Sequence, residues 1–159
     1  MKKLVVLMLL ASMLFTAGCA EKTPEKNPVV KITNLEQINT SLQNGPVFVK
    51  IGSIWCSGCR SLKPTIEKLA SEYEGNATIA SVDVSKNREL TEYFGVTYIP
   101  DSFVIVGIDN GKYVYMQENG NVSMDRYEAW FVGLNESNEK VFEKVLDLAL
   151  IQQRKDKSK

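Results

Sequence analysis

Between Val47 and Ile54 an almost unbroken apolar run ends on Trp55-Cys56-Ser57-Gly58-Cys59, and helical periodicity begins at once from Arg60. An apolar run of this kind suits a central strand covered on both faces. The two thiols therefore stand where a strand hands over to a helix. A helix start presents free N–H groups and the positive end of the helix dipole, and both favour a thiolate. Cys56 is expected to have a depressed pKa and to attack disulfides readily. Cys59, one turn further on, is placed to resolve the resulting mixed disulfide.

Composition narrows the chemistry. The chain has 159 residues, room for one ordinary domain, with 19 basic and 19 acidic side chains and no histidine. No basic stripe or acidic block argues for nucleic acid or for a cationic partner. The absence of histidine excludes Ser-His and Cys-His catalysis by this chain alone and removes the commonest metal ligand. Three cysteines cannot supply a four-ligand zinc site. A purely structural Cys56–Cys59 disulfide would close a loop too short to remove much unfolded-state entropy. The expectation is thiol redox chemistry with no metal and no cofactor beyond the redox-active disulfide itself. Two alternatives stay open: a copper(I) carrier using the same two thiolates, and a redox-silent interaction domain.

The N-terminus reads as an address. Met1-Lys2-Lys3 is a short positive region, and Leu4 to Ala17 is an apolar run too short to span a bilayer comfortably. Ala17-Gly18 then precedes the lone Cys19. Residues 1–18 are read as a signal peptide that resembles a bacterial-type lipoprotein signal. In such signals the cysteine is lipidated on its sulfur and becomes the mature N-terminus. Thr16 stands where they favour Leu, and plain secretion or an uncleaved anchor is the alternative. Residues 19–28, charged and proline-bearing, are expected to be a flexible tether. The expected location is the outer face of the cytoplasmic membrane, or the periplasm.

Residues 29–154 are expected to fold and 155–159 to form a disordered basic tail. Val29 to Ile32 reads as a strand, and Thr33-x-x-Glu36 as a capping box opening a helix to about Gln43. After the cysteine pair a helix to about Tyr73 is expected, kinked at Pro64. Strand, short helix and strand follow over 77–84, 87–94 and 102–108, with Gly95 as a C-cap. Asp109-Asn110-Gly111 is a hairpin turn, with Lys112 to Met116 pairing back and a second turn at Glu118 to Asn121. Arg126 to Val132 reads as a strand, with a helix over 124–131 as the alternative. Asn135 or Ser137 caps a long final helix. This alternation implies an α/β architecture, a mixed sheet with helices on both faces.

That order, with Trp-Cys-x-x-Cys opening the second helix, resembles the thioredoxin family over about Val29 to Leu150. Pro64, Val82-Asp83-Val84, Asn87, Phe94-Gly95-Val96, Ile99-Pro100 and Phe131-Val132-Gly133-Leu134 match the family pattern. The resemblance implies a thioredoxin fold carrying an extended β-hairpin insertion near 111–126. It implies that Cys56 is the nucleophile, Cys59 the resolving thiol, and that Trp55 shields the pair. It makes Pro100 a cis-proline and gives the Ile99 backbone the job of binding substrate. Its partners would be exported protein thiols and disulfides and a membrane thiol electron carrier or donor, with the protein a monomer.

Four departures qualify the resemblance. Lys50 stands where the family has a buried Asp, and Ser81 where a lysine commonly faces it. Lys50 is expected either to tune the Cys59 thiol or to reach out to solvent. The Ser57-Gly58 dipeptide leaves the direction of electron flow open, although Ile99 leans toward reductases. Asp101 replaces the usual Thr after the proline. It is expected either to act on the cysteines or basic substrates, or to be a solvated loop charge. The stretch from Gly111 to Arg126 is longer than the family minimum.

Overall fold

The computed structural model describes residues 28–129 and 137–158. Strands β1 (Val30–Lys31), β2 (Val47–Gly52), β3 (Thr78–Asp83), β4 (Asp101–Asp109), β5 (Lys112–Met116) and β6 (Val122–Ser123) form one sheet. The helices are α1 (Leu35–Leu42), α2 (Ser57–Ser61), α3 (Lys63–Glu72), α4 (Arg88–Tyr93) and α5 (Ser137–Lys157). The strand order is β1-β3-β2-β4-β5-β6, with β2 parallel to β3 and antiparallel to β4.

Strand alternation divides the core in two. Val47, Val49 and Ile51 point with Ala80, Val82, Phe103 and Ile105 toward α1 and α4. Phe48 points the other way, with Ile79 and Val104, into the layer made by α3 and α5. By the same alternation Lys50 and Gly52 share the face of Phe48, while Asp101 shares the opposite face with Phe103. This parity decides which charges reach the thiols.

Local chemistry sets the element ends. Asn34, not Thr33, caps α1: its side chain accepts from the Gln37 N–H at 3.0 Å. Gln37 reaches back to the Thr33 N–H at 2.7 Å. The cap is thus one residue later than expected, with Asn34 capping Gln37 and Gln37 bonding back to the N–H of the residue before the cap. Pro64 does more than kink: the helix divides at Leu62, and Pro64 lies in the first turn of α3, where its missing N–H is tolerated. Gly95, at φ 58°, closes α4. Its N–H bonds to Glu92 O and that of Val96 to Thr91 O, a Schellman ending. Asn110 and Gly111, both at positive φ, make the tight turn between β4 and β5.

The insertion differs from expectation at its far end. The second turn and a short pairing strand are present, but Arg126–Ala129 is a 3-10 turn and not a strand. Arg126 and Ala129 face inward there, a one-turn spacing that an alternating strand cannot bury on one side. The final helix runs on to Lys157, through most of the stretch expected to fray. There Gln152 bonds to Asp156 one turn away, and basic residues suit a helix C-terminus. The residues read as a signal peptide, Cys19 and the expected tether up to 27, Phe131 to Leu134 and the expected Asn135 cap lie outside the described residues.

Candidate active site

The chain leaves β2 at Gly52, crosses Ser53 to Trp55 and enters α2 at Cys56, which is the N-cap residue. The Cys56 Sγ accepts the Cys59 N–H at 3.2 Å. A sulfur therefore fills the role that a hydroxyl or carboxylate plays at an ordinary helix start. The same Sγ lies 3.8 Å from the carbonyl oxygen of Ile99. The Ile99–Pro100 peptide is cis, and Pro100 is buried against the start of β4. Both cysteines are free thiols, Cys56 half-buried and Cys59 only 3% exposed.

Opposing influences separate the two thiols. Burial works against a thiolate at Cys56. The hydrogen bond from the Cys59 thiol, the Cys59 and Gly58 backbone and the Lys50 charge outweigh it, so its pKa falls below the ordinary thiol value. At Cys59 burial dominates, the Cys56 side chain adds to it, and the pKa rises despite the Ser53 backbone and Lys50. One thiol is thus prepared to attack while the other stays protonated until its turn.

Lys50 sits half-buried at mid-strand, in register with Ser81 on β3 and Ser102 on β4. A Cβ added to Gly52 would lie 2.7 Å from the Cys59 Sγ and 2.7 Å from the Lys50 Nζ. The ammonium and the resolving thiol thus converge on the space that the missing side chain of Gly52 leaves open. That space belongs to a cleft of about 380 Å³ lined by Lys50, Ser53, Cys59 and Ser81. Lys31, Arg60, Lys63 and Lys86 add positive charge around it, and its carboxylates are Asp83 and Glu67. Asp83 accepts from Ser85, and Glu67 pairs with Lys63. Ser85, then burial working the other way, govern the Asp83 carboxyl, whose pKa ends below the usual carboxylate value.

Trp55 is 81% exposed, because the loop after Gly52 carries Ile54 and Trp55 outward from the sheet end. One expectation needs correction. Asp101 is neither a solvated loop charge nor a charge offered to substrates. It is 1% exposed, and Arg126 Nη1 donates to both its carboxylate oxygens at 3.0 and 2.9 Å. It also lies on the sheet face away from Lys50 and Cys59, so it does not replace the missing acid. Arg126 was not singled out from the sequence. The only signal was that a carboxylate entering a central strand needs a partner, and 25 residues separate the two.

No group of three or more His, Cys, Asp or Glu among the described residues is placed to hold a metal ion. Cys56, Cys59, Ile99 and Pro100 come together, and Lys50 joins them from below. Cys19 is outside the described residues.

Comparison with known proteins agrees with this arrangement. The thioredoxin family model matches residues 29–130. A thioredoxin domain-containing protein of Theileria parva is 31% identical over 99 residues, covering 62% of this chain and 43% of that protein. A thioredoxin of Chlorobaculum thiosulfatiphilum is 39% identical over 61 residues, covering 38% of this chain and 56% of that one. The chain thus spans about half the length of these curated relatives. The solved structure of Trichomonas vaginalis thioredoxin superposes with a TM-score of 0.56 at 22% identity, covering 74% of this chain and 97% of that one. An N-capping thiol beside a cis-proline, on a mixed sheet covered by helices on both faces, is the arrangement on which these matches fall, and the chain belongs to the thioredoxin family.

Proposed function

We propose that the protein is a thiol–disulfide oxidoreductase acting on protein disulfides outside the cytoplasm, tethered to the membrane through a lipid on Cys19. The observation that carries the redox reading is the Cys56 Sγ, which caps α2 through the Cys59 N–H and faces the Ile99 carbonyl. The Cys56 thiolate attacks one sulfur of a substrate disulfide. A Cys56–substrate disulfide forms, and the other substrate sulfur leaves as a thiolate. Cys59 then loses its proton and attacks the Cys56 sulfur. The Cys56–Cys59 disulfide forms, and the substrate departs with both sulfurs reduced. Two electrons pass from the protein to the substrate, and the reverse sequence oxidises a dithiol. The leader-like residues 1–18 and the lone Cys19 support the export and tether. A membrane thiol carrier is the electron partner such a location calls for.

The deciding experiment equilibrates the full-length protein, with detergent present, in thiol redox buffers and reads the Cys56–Cys59 potential. A value near the thioredoxin figure of about −270 mV marks a reductase, and one toward about −120 mV a disulfide donor. A protein with no measurable exchange, or with exchange retained in Cys56→Ser, would refute the reading. Mass measurement of the membrane fraction tests the tether, which predicts a diacylglycerol-sized addition lost in Cys19→Ala.

A further inference from the structure

The segment from Gly95 to Asp101 brings Ile99 up to Cys56, and two adjacent residues of the 3-10 turn fasten it at both ends. At its start the Tyr127 Oη donates to the Gly95 carbonyl at 2.8 Å. The fit is close: a Cβ on Gly95 would lie 2.6 Å from that hydroxyl. At its end Arg126 grips the Asp101 carboxylate with both bonds from one nitrogen. The two fasteners also hold each other, since the Arg126 guanidinium lies 4.7 Å from the Tyr127 ring centroid and 5.2 Å from that of Phe103. The turn is itself anchored. Tyr127 N–H donates to Asp125 Oδ1 at 2.9 Å, Asp125 N–H to Ser123 Oγ at 3.0 Å, and Gln117 Nε2 to Glu128 Oε2 at 3.0 Å. The chain that does this lies in and just beyond the insertion.

We propose that Arg126 and Tyr127 are positioning residues that clamp the Gly95–Asp101 segment, so that the Ile99 backbone is already aligned beside Cys56 when an extended peptide carrying a disulfide arrives. The proposal rests on the oxidoreductase reading for its substrate, although the clamp itself is testable without it. Val96 packs against the core and Pro100 is buried, but Thr97 and Tyr98 between them are exposed and Ile99 is only half-buried, so the stretch that faces Cys56 has little packing of its own to order it. A segment left loose would have to be ordered at each encounter, and that lost freedom would weaken docking. Fastening it from the insertion moves the ordering cost into folding. A small disulfide reagent that needs no main-chain docking gains nothing from the clamp, and this asymmetry is what distinguishes it from general support of the site.

Three measurements on full-length protein test the clamp in Tyr127→Phe, which deletes one hydrogen bond, and in Arg126→Lys, which keeps the charge but loses the planar grip. The first is amide exchange at Gly95 and Val96, whose N–H groups bond to Glu92 and Thr91, expected to rise about tenfold while β2 and β3 amides stay protected. The second is KM for a disulfide-bridged peptide of about ten residues, expected to rise about tenfold with kcat little changed. The third is the rate at which Cys56 reacts with dithiobis-nitrobenzoate, expected to stay as in the parent. Unchanged exchange, or raised exchange with an unchanged peptide KM, would overturn the clamp. So would a parallel fall in peptide and reagent rates. Should Arg126→Lys fail to fold, Tyr127→Phe still decides. A parent protein that reduces no peptide would sink the oxidoreductase reading, while the exchange data alone would still judge whether the segment is clamped.

Discussion

Lys50 turns an acid-based arrangement into a cationic one. A carboxylate beneath the resolving thiol would accept its proton, whereas an ammonium favours the thiolate once the proton has gone. Because Lys50 acts on both sulfurs in the same direction, its removal has a definite sign. Lys50→Met should raise the pH midpoints of alkylation at Cys56 and Cys59 alike, and Lys50→Arg should largely restore them. Thiolates exist only in the reduced protein, so losing their support makes the protein more reducing. The potential should fall by about 30 mV for each 1.4 kcal/mol of support removed. In the parent, Cys56 should alkylate with a midpoint below the ordinary thiol value and Cys59 above it. Unaltered midpoints in Lys50→Met would show that the ammonium turns away from the sulfurs in solution. The position of Lys50 was legible in the sequence, since strand parity and the cysteine motif both count from it. The opening above Gly52 was not, because only the packed helix shows how near Cys59 comes to the strand.

Arg126 shows where reading by pattern stops. Its turn has too few residues to show a period, and its partner lies on a distant strand, so neither spacing nor propensity points to the pair. Asn34 is a milder case: two overlapping cap patterns compete, and the one whose side chain is Asn takes the helix end. The Asp101–Arg126 pair is buried, and the Arg126 Nε has no hydrogen-bond partner among the described residues. Such a pair contributes little net stability while intact but is costly to break from one side. Arg126→Met should therefore lower unfolding stability in urea by about 3–5 kcal/mol. The double replacement Asp101→Thr with Arg126→Met should recover most of that loss, because no lone charge is then left inside. If the double variant is no more stable than the single one, the aromatic packing of the guanidinium, and not charge balance, governs the turn.

The two cores divide the labour of the molecule. The α1 and α4 side supports the cis-proline segment and the aromatic group around Phe94, Phe103 and Tyr115. The α3 and α5 side carries the helix that continues from the cysteines, and α5 secures it. Phe142 meets Phe48 edge-on at 5.0 Å, Tyr73 Oη donates to Asp147 at 2.9 Å, and Lys68 pairs with Glu139 and Glu143. Of these contacts the aromatic one is buried and the ion pairs are exposed, so the ring should dominate. Phe142→Ala should cost about 3–5 kcal/mol in urea unfolding, whereas Glu139→Gln should be nearly silent. Most of this architecture could be read in advance, because long apolar periods and turn residues report directly on strands and helices. The split at Leu62 could not, since it depends on how the Pro64 ring meets the preceding turn.

Among the described residues, the outermost strands of the sheet are both only two residues long, Val30–Lys31 on one side and Val122–Ser123 on the other. An exposed strand edge is a template for any extended chain that meets it. A protein proposed to handle the disulfides of unfinished chains meets such templates' partners constantly. Each rim offers an extended chain only two residues to pair with, and Lys31 places a charge on one of them. Borders trimmed in this way count against edge-to-edge association with such chains.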